Sequence, residues 1–206
     1  MNMYMYYKDA YKKEMKARVI DCFTDEKGNI KLELDDTCFY PEGGGQPSDI
    51  GFINDANCTY VKEENGKVYH YVDKEFNIDE EVTLKLDFKN RYENMKHHTA
   101  EHIVSGLIHS TFEANNVGFH MGKDFVTMDF NREISKEELR EIENKANQIV
   151  SKNIGVVSEI VTPVVGFLYP LSKYQPLKTY PSLVGRGIVL GFPFPVVEKY
   201  VPLIAV

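Results

Sequence analysis

Ile30-Lys31-Leu32-Glu33-Leu34 alternates apolar and polar side chains at a period of two, the pattern of a strand with one face against a core. Just before it, Asp25-Glu26-Lys27-Gly28-Asn29 has the composition of a turn, and Ala17-Arg18-Val19-Ile20-Asp21-Cys22-Phe23 reads as the preceding strand. Downstream, short β-rich stretches recur at 51–54, 59–62, 68–72 and 82–88, with Glu64-Asn65-Gly66 as a hairpin turn. Several short strands at this spacing predict a small barrel or sandwich.

The period changes near Asn90. Residues 91–112 hold no proline and one glycine, Gly106, and carry apolar side chains at Ile103, Val104, Leu107 and Ile108, which predicts a long amphipathic helix. Residues 125–130 (Phe-Val-Thr-Met-Asp-Phe) predict a strand. Ser135-Lys136-Glu137-Glu138 is a capping box that opens a second helix running to about Ser151, and 156–161 predicts one more strand. No internal repeat is present.

At Pro163 the composition breaks. Seven of the nine prolines lie in 163–206, and all but one of the 31 acidic residues lie before it. This segment reads as a divergent tail that packs on the body or mediates association, or as a stretch translated in a shifted frame. If ordered, its Phe192, Phe194, Leu203 and Ile204 need a surface or a partner to cover them.

The remaining composition narrows the classes. Hydrophobic residues at 43% and charged residues at 27% are an ordinary globular balance in a chain of 206 residues, enough for one large domain or two small ones. No apolar run reaches the ~18 residues that span a bilayer, and the Tyr- and Lys-rich start has no apolar block of a secretory signal, so a cytoplasmic, membrane-free location is expected. Cys22, Cys38 and Cys58 are odd in number and widely spaced, which suits a reducing compartment and small buried side chains. A net charge of −7 lends no support to a nucleic-acid partner, so any such reading must rest on motifs.

Two motifs carry chemistry. In His98-Thr99-Ala100-Glu101-His102 the imidazoles sit four apart on one helix face, where both can point at a single ion, or form a surface or packing pair. Ser105 and His109 continue the stripe. Glu101 does not stand where the His-Glu-x-x-His pattern of a zinc protease requires its base. The second motif is Phe39-Tyr40-Pro41-Glu42-Gly43-Gly44-Gly45-Gln46-Pro47-Ser48-Asp49-Ile50-Gly51, whose three glycines allow close approach to a ligand, or simply a flexible loop. No Gly-Lys-Ser/Thr follows, which excludes a phosphate loop.

Together with Arg91, Asn94, Met95 and Gly118-Phe119-His120-Met121-Gly122, these runs resemble AlaX proteins, the free-standing homologues of the alanyl-tRNA synthetase editing domain. The resemblance covers about residues 15 to 162. It implies an α+β fold: a small N-terminal β-barrel carrying the glycine motif, over 1–89, then a two-layer α/β editing domain over 90–162, with 163–206 as an atypical Pro-rich apolar tail. It implies an aminoacyl-tRNA deacylase that hydrolyses tRNA(Ala) mischarged with serine, or with glycine in some members, as a monomer or homodimer. By the same resemblance His98 and His102 are ligands to Zn2+ and catalytic, Gln46 is catalytic and positioning, and Gly43, Gly44, Gly45, Gln46 and Thr99 line the substrate site.

One departure stands out. The family completes its zinc site with a later Cys-x-x-x-His, yet no cysteine follows Cys58 and no histidine follows His120. Two imidazoles are one ligand short of the usual catalytic three. His97 is turned about 100° away per residue and His109 lies two turns on, which leaves His120 as the substitute. A binding module of the same fold, able to dock tRNA or a partner but impaired in catalysis, is the alternative reading.

Overall fold

The computed structural model describes residues 4–122 and 125–156, so the tail at 163–206 and all but the first residue of the strand expected at 156–161 lie outside the described residues. The fold is α+β with a barrel at its N-terminus, as the sequence predicts. Its first element is a single helical turn, α1 (Met5–Lys8), followed by β1 (Glu14–Thr24), β2 (Ile30–Leu34), β3 (Gly51–Ile53), β4 (Ala56–Glu64), β5 (Lys67–Val72) and β6 (Glu81–Leu86). These six strands close a barrel in the order β1-β2-β5-β4-β3-β6.

Closure depends on the length of β1. Its first half, 14–18, pairs with β6, and its second half, 19–24, pairs with β2. The register slips between Val19 and Asp21, at the changeover, so Ile20 is an extra residue and stands 45% exposed. Such a bulge sharpens the local twist and lets one strand serve two neighbours. The expected hairpin is present: Glu64 pairs with Lys67, and Asn65 (φ 53°) and Gly66 (φ 79°) both take the left-handed conformation that a two-residue turn of this hand requires.

Period-two burial is clean on β5 and β6, where Val68, His70 and Val72, and Val82, Leu84 and Leu86, face inward. Strand β2 departs from the half-buried expectation, because Lys31 and Glu33 on its outer face are also buried. Ion pairs to two other strands cover them: Lys31 Nζ lies 3.0 Å from Glu64 of β4, and Lys67 Nζ of β5 lies 2.9 Å from Glu33. The rings of Tyr69 and Tyr71 add cation–π contacts to Lys31 at 5.6 and 5.1 Å.

The Tyr-rich start has a packing role. Tyr6 is buried in the barrel core, edge-on to Tyr40 at 5.6 Å, and its backbone N–H donates to Thr37 O. The Met5 N–H donates to Asp36 Oδ1 at 2.7 Å, which pins the turn.

A neutral histidine sits among these apolar side chains. His70 Nδ1 is 3.1 Å from the Leu32 carbonyl and Nε2 is 2.8 Å from Thr37 Oγ1, so Nδ1 carries the proton and Nε2 accepts from the hydroxyl. Burial pushes this imidazole down to about 4, with only partial opposition from the Leu32 carbonyl. In the unfolded chain the ring takes up its proton near pH 6.5, so the stability tied to keeping it neutral is complete above that value. It is lost as pH falls towards about 4, on the order of 3 kcal/mol in all. Chemical denaturation of the full chain between these limits should therefore show a steeper acid loss than in His70→Gln; equal slopes would remove His70 as the cause.

The second unit is built from the end of a long helix, α2 (Phe88–Phe112), with β7 (Asn116–Met121), β8 (Val126–Phe130) and α3 (Lys136–Ser151). The chain divides into two compact units, one holding the described residues of 1–97 with 120–125, the other 98–119 with the described residues from 126. Asp87 caps α2, its carboxylate accepting from the Asn90 N–H at 3.1 Å and its carbonyl from the Arg91 N–H. Because α2 contributes to both units, its apolar stripe is confined to 103–108. There Ile103, Val104, Leu107 and Ile108 pack with Ile142 and Ala146 of α3, over Met128 and Phe130 of β8. The expected capping box at Ser135 is formed, with Ser135 and Glu138 each bonding the other's backbone N–H.

Candidate functional site

The glycine motif is an ordered turn in the barrel unit. Gly43 and Gln46 exchange backbone hydrogen bonds at 3.1 Å in each direction, and the two residues between them, Gly44 and Gly45, have φ of 60° and 79°. A side chain is strained at both positions, which is why the motif needs glycine there. The turn is tied down on both sides, since the Glu42 N–H donates to Val61 O and the Met121 N–H to Gly45 O. Gln46 is buried at 5% exposure.

Behind this turn, Arg91 of α2 is buried against Asp49. The guanidinium Nε lies 2.9 Å from both Asp49 oxygens, and a second nitrogen also reaches Asp49 Oδ2. The remaining donors reach the carbonyls of Ala10 at 2.8 Å and Cys38 at 2.6 Å, and Asp49 accepts in addition from the Tyr40 N–H at 2.5 Å. This network fixes the residues that frame the glycine turn to the start of α2. Both residues lie within the quoted motifs, but nothing in their spacing says that they meet.

The histidine pair belongs to the second unit. His98 and His102 stack one helical turn apart, with ring centroids 4.9 Å apart and planes inclined by 17°. Phe119 of β7 covers His98, at 5.7 Å between ring centres. Burial, and next the neighbouring His102, hold the His98 ring below the usual imidazole value, against an opposing pull from Glu101. A neutral ring is the form that can bind a metal. His102 Nε2 is buried and has no hydrogen-bond partner among the described residues. Leaving such an atom unpaired costs about 1–3 kcal/mol, a debt that a coordinated cation removes.

Glu101 is the third member of the cluster. It is buried at 7% exposure, and the donor atoms of His98, Glu101 and His102 all lie within 4.8 Å of one another. Its Oε2 is 3.4 Å from His102 Nδ1, while Oε1 accepts from the Ser105 hydroxyl at 2.5 Å and from Asn116 Nδ2 at 2.8 Å. Asn116, on β7, has no signal in the sequence, because only the fold brings that strand against α2. Thr99 is half-buried on α2, while His120, expected as the substitute ligand, is exposed on β7.

None of the three cysteines joins the His98–Glu101–His102 cluster, and none is in a disulfide. Burial pushes the Cys38 thiol up to about 11 and the Cys58 thiol up to about 12. Among the described residues no helix is long and apolar enough to cross a membrane.

No family model matches the chain. Curated proteins do. Over 158 residues, 73% of this chain, it is 39% identical to the alanyl-tRNA editing protein AlaX-M of Saccharolobus solfataricus and covers 64% of that protein. Over 162 residues, 75% of this chain, it is 34% identical to the alanyl-tRNA editing protein AlaX-L of Pyrococcus horikoshii, covering 40% of it. Over 166 residues it is 37% identical to the alanine–tRNA ligase of Thermococcus kodakarensis, covering 17% of that longer protein. The chain spans less than two thirds of the length of each of these relatives.

Proposed function

We propose, from the fact that this chain belongs to the AlaX family of alanyl-tRNA editing proteins, that it hydrolyses tRNA(Ala) carrying the wrong amino acid, Ser-tRNA(Ala) before Gly-tRNA(Ala). The observation that carries this reading is the stacked His98–His102 pair with the buried, unpartnered Nε2 of His102.

His98 and His102 offer imidazole nitrogens of the kind zinc takes, one protein ligand fewer than its usual catalytic three, and they are the residues that would hold it. Zinc, when bound, supplies a Lewis acid for an ester carbonyl and a resting place for amine or hydroxyl groups. The overall reaction adds water across the ester at the terminal ribose of the tRNA, breaking the acyl C–O bond and releasing the amino acid and the ribose hydroxyl. Burial favours the neutral form of His98, whose lone pair is then available, and Phe119 packs against one side of that ring. On this reading Gln46, with Gly43, Gly44 and Gly45, would position the substrate, and Thr99 would line its site. Serine must be told from alanine by a hydrogen bond to its hydroxyl, because a purely apolar pocket separates such isosteres by only about 100-fold.

Full-length protein should contain zinc close to one per chain and release serine from Ser-tRNA(Ala) but not from a free serine ester. Turnover of both substrates would point to a general esterase. Absence of both zinc and turnover, with tRNA still bound, would identify a binding module instead.

A further inference from the structure

We infer that Glu101, held by Ser105 and Asn116, is a positioning residue that fixes the proton of the neutral His102 ring on Nδ1 and so leaves Nε2 bare for a cation. The inference rests on the metal-binding reading of the pair given above, but its first test does not require a metal.

Hydrogen bonds set the directions of Asn116, Ser105 and Glu101. The Gly118 N–H donates to Asn116 Oδ1 at 3.0 Å, so the Asn116 amide can turn only its NH2 towards α2. That NH2 donates to Glu101 Oε1 at 2.8 Å and to Ser105 Oγ at 2.9 Å, and the Ser105 hydroxyl in turn donates to Oε1 at 2.5 Å. With Oε1 occupied by two donors, Oε2 is the oxygen left to face His102 Nδ1, at 3.4 Å. A carboxylate oxygen only accepts, so the proton of the neutral ring is drawn to Nδ1. Nε2 is then a lone pair, buried and facing no donor among the described residues. A carboxylate behind a ligating imidazole is a general means of fixing its tautomer, and losing it costs about 10–100-fold in metal affinity.

Glu101→Gln gives a sharp reversal at constant shape. Asn116 still presents its NH2, so the new amide must turn its oxygen to Asn116 and Ser105 and its own NH2 to His102. Nδ1 then becomes an acceptor, the ring proton moves to Nε2, and the lone pair aimed at the cation is lost.

Labelled-nitrogen NMR of the metal-free full chain at a pH above about 8, where imidazoles are neutral, reads the tautomer directly. The unmodified protein should carry the His102 proton on Nδ1, and E101Q should carry it on Nε2. Zinc affinity, measured by competition with a chelating dye, should fall about 10–100-fold in E101Q. A proton on Nε2 in the unmodified protein overturns the inference, whatever the fate of the variant. A loss of zinc with the Nδ1–H form retained in E101Q also overturns it, and makes Glu101 a ligand instead. The expected tautomers together with no hydrolysis of Ser-tRNA(Ala) would sustain the inference while removing the deacylase reading.

Discussion

Asp49→Ala should lower the unfolding free energy measured by urea denaturation by about 3–5 kcal/mol, the cost of leaving a buried guanidinium without its counter-charge. Arg91 is 3% exposed and Asp49 fully buried, so water cannot take the place of the lost carboxylate. The geometry sharpens the expectation. Nε and a second nitrogen grip the carboxylate while the other donors hold the carbonyls of Ala10 and Cys38. One guanidinium thus joins the segment after α1, the start of the glycine motif and the first turn of α2. Arg91→Lys keeps the charge but cannot reproduce the fork, and should recover only part of the loss. Replacing both partners with apolar side chains removes the stranded charge, yet still orphans the Ala10 and Cys38 carbonyls and the Tyr40 N–H. The double variant should therefore sit between the single variant and the unmodified protein. A stability for Asp49→Ala within about 0.5 kcal/mol of the unmodified chain, at an unchanged denaturant slope, would show that the pair does not hold the loop.

What the sequence makes legible, and what it hides, follows from the range of the forces involved. Ile30–Leu34, the hairpin at Asn65 and Gly66, and the capping box at Ser135 are local: each is set by side-chain alternation, by a backbone conformation that glycine or asparagine tolerates, or by bonds spanning three residues. The period-two alternation on β6 is likewise visible in the chain itself. β7 is not, because Gly118 interrupts it and Val117 is 66% exposed, so no alternation marks it as a strand. Only three dimensions show what a side chain there would meet: a Cβ at 118 would lie 2.7 Å from Asp129 Oδ2 on β8, which would have to swing aside. β1 is longer than the seven residues that read as strand, since its first half is fixed by pairing with β6, more than sixty residues away in the chain. The same limit applies at the candidate site. The spacing of His98 and His102 places them on one helix face, but Arg91 with Asp49, His70 with Thr37, and Glu101 with Asn116 are partnerships made by topology. His70 is the plainest case: a single histidine on a strand carries no sign that it will be enclosed and neutral.

His98→Ala and His102→Ala should each reduce Ser-tRNA(Ala) deacylation by at least about 100-fold on the proposed reading, roughly 3 kcal/mol of transition-state stabilisation. The pair is expected to act as a unit, because one imidazole alone cannot keep a cation in place. The double variant should therefore be hardly slower than either single one, where independent contributions would multiply. Each single variant should also lose zinc. Stability offers a separate readout, since removing His102 deletes a buried nitrogen that has no partner among the described residues. The metal-free protein should tolerate His102→Ala better than an ordinary truncation of a buried ring, as the lost packing is offset by relief of that unpaired atom. The zinc-loaded protein should instead lose its metal-linked stabilisation, which grows with the logarithm of free zinc. Full activity in either variant would place the chemistry elsewhere, and multiplicative losses in the double variant would mean that the two rings serve separate steps.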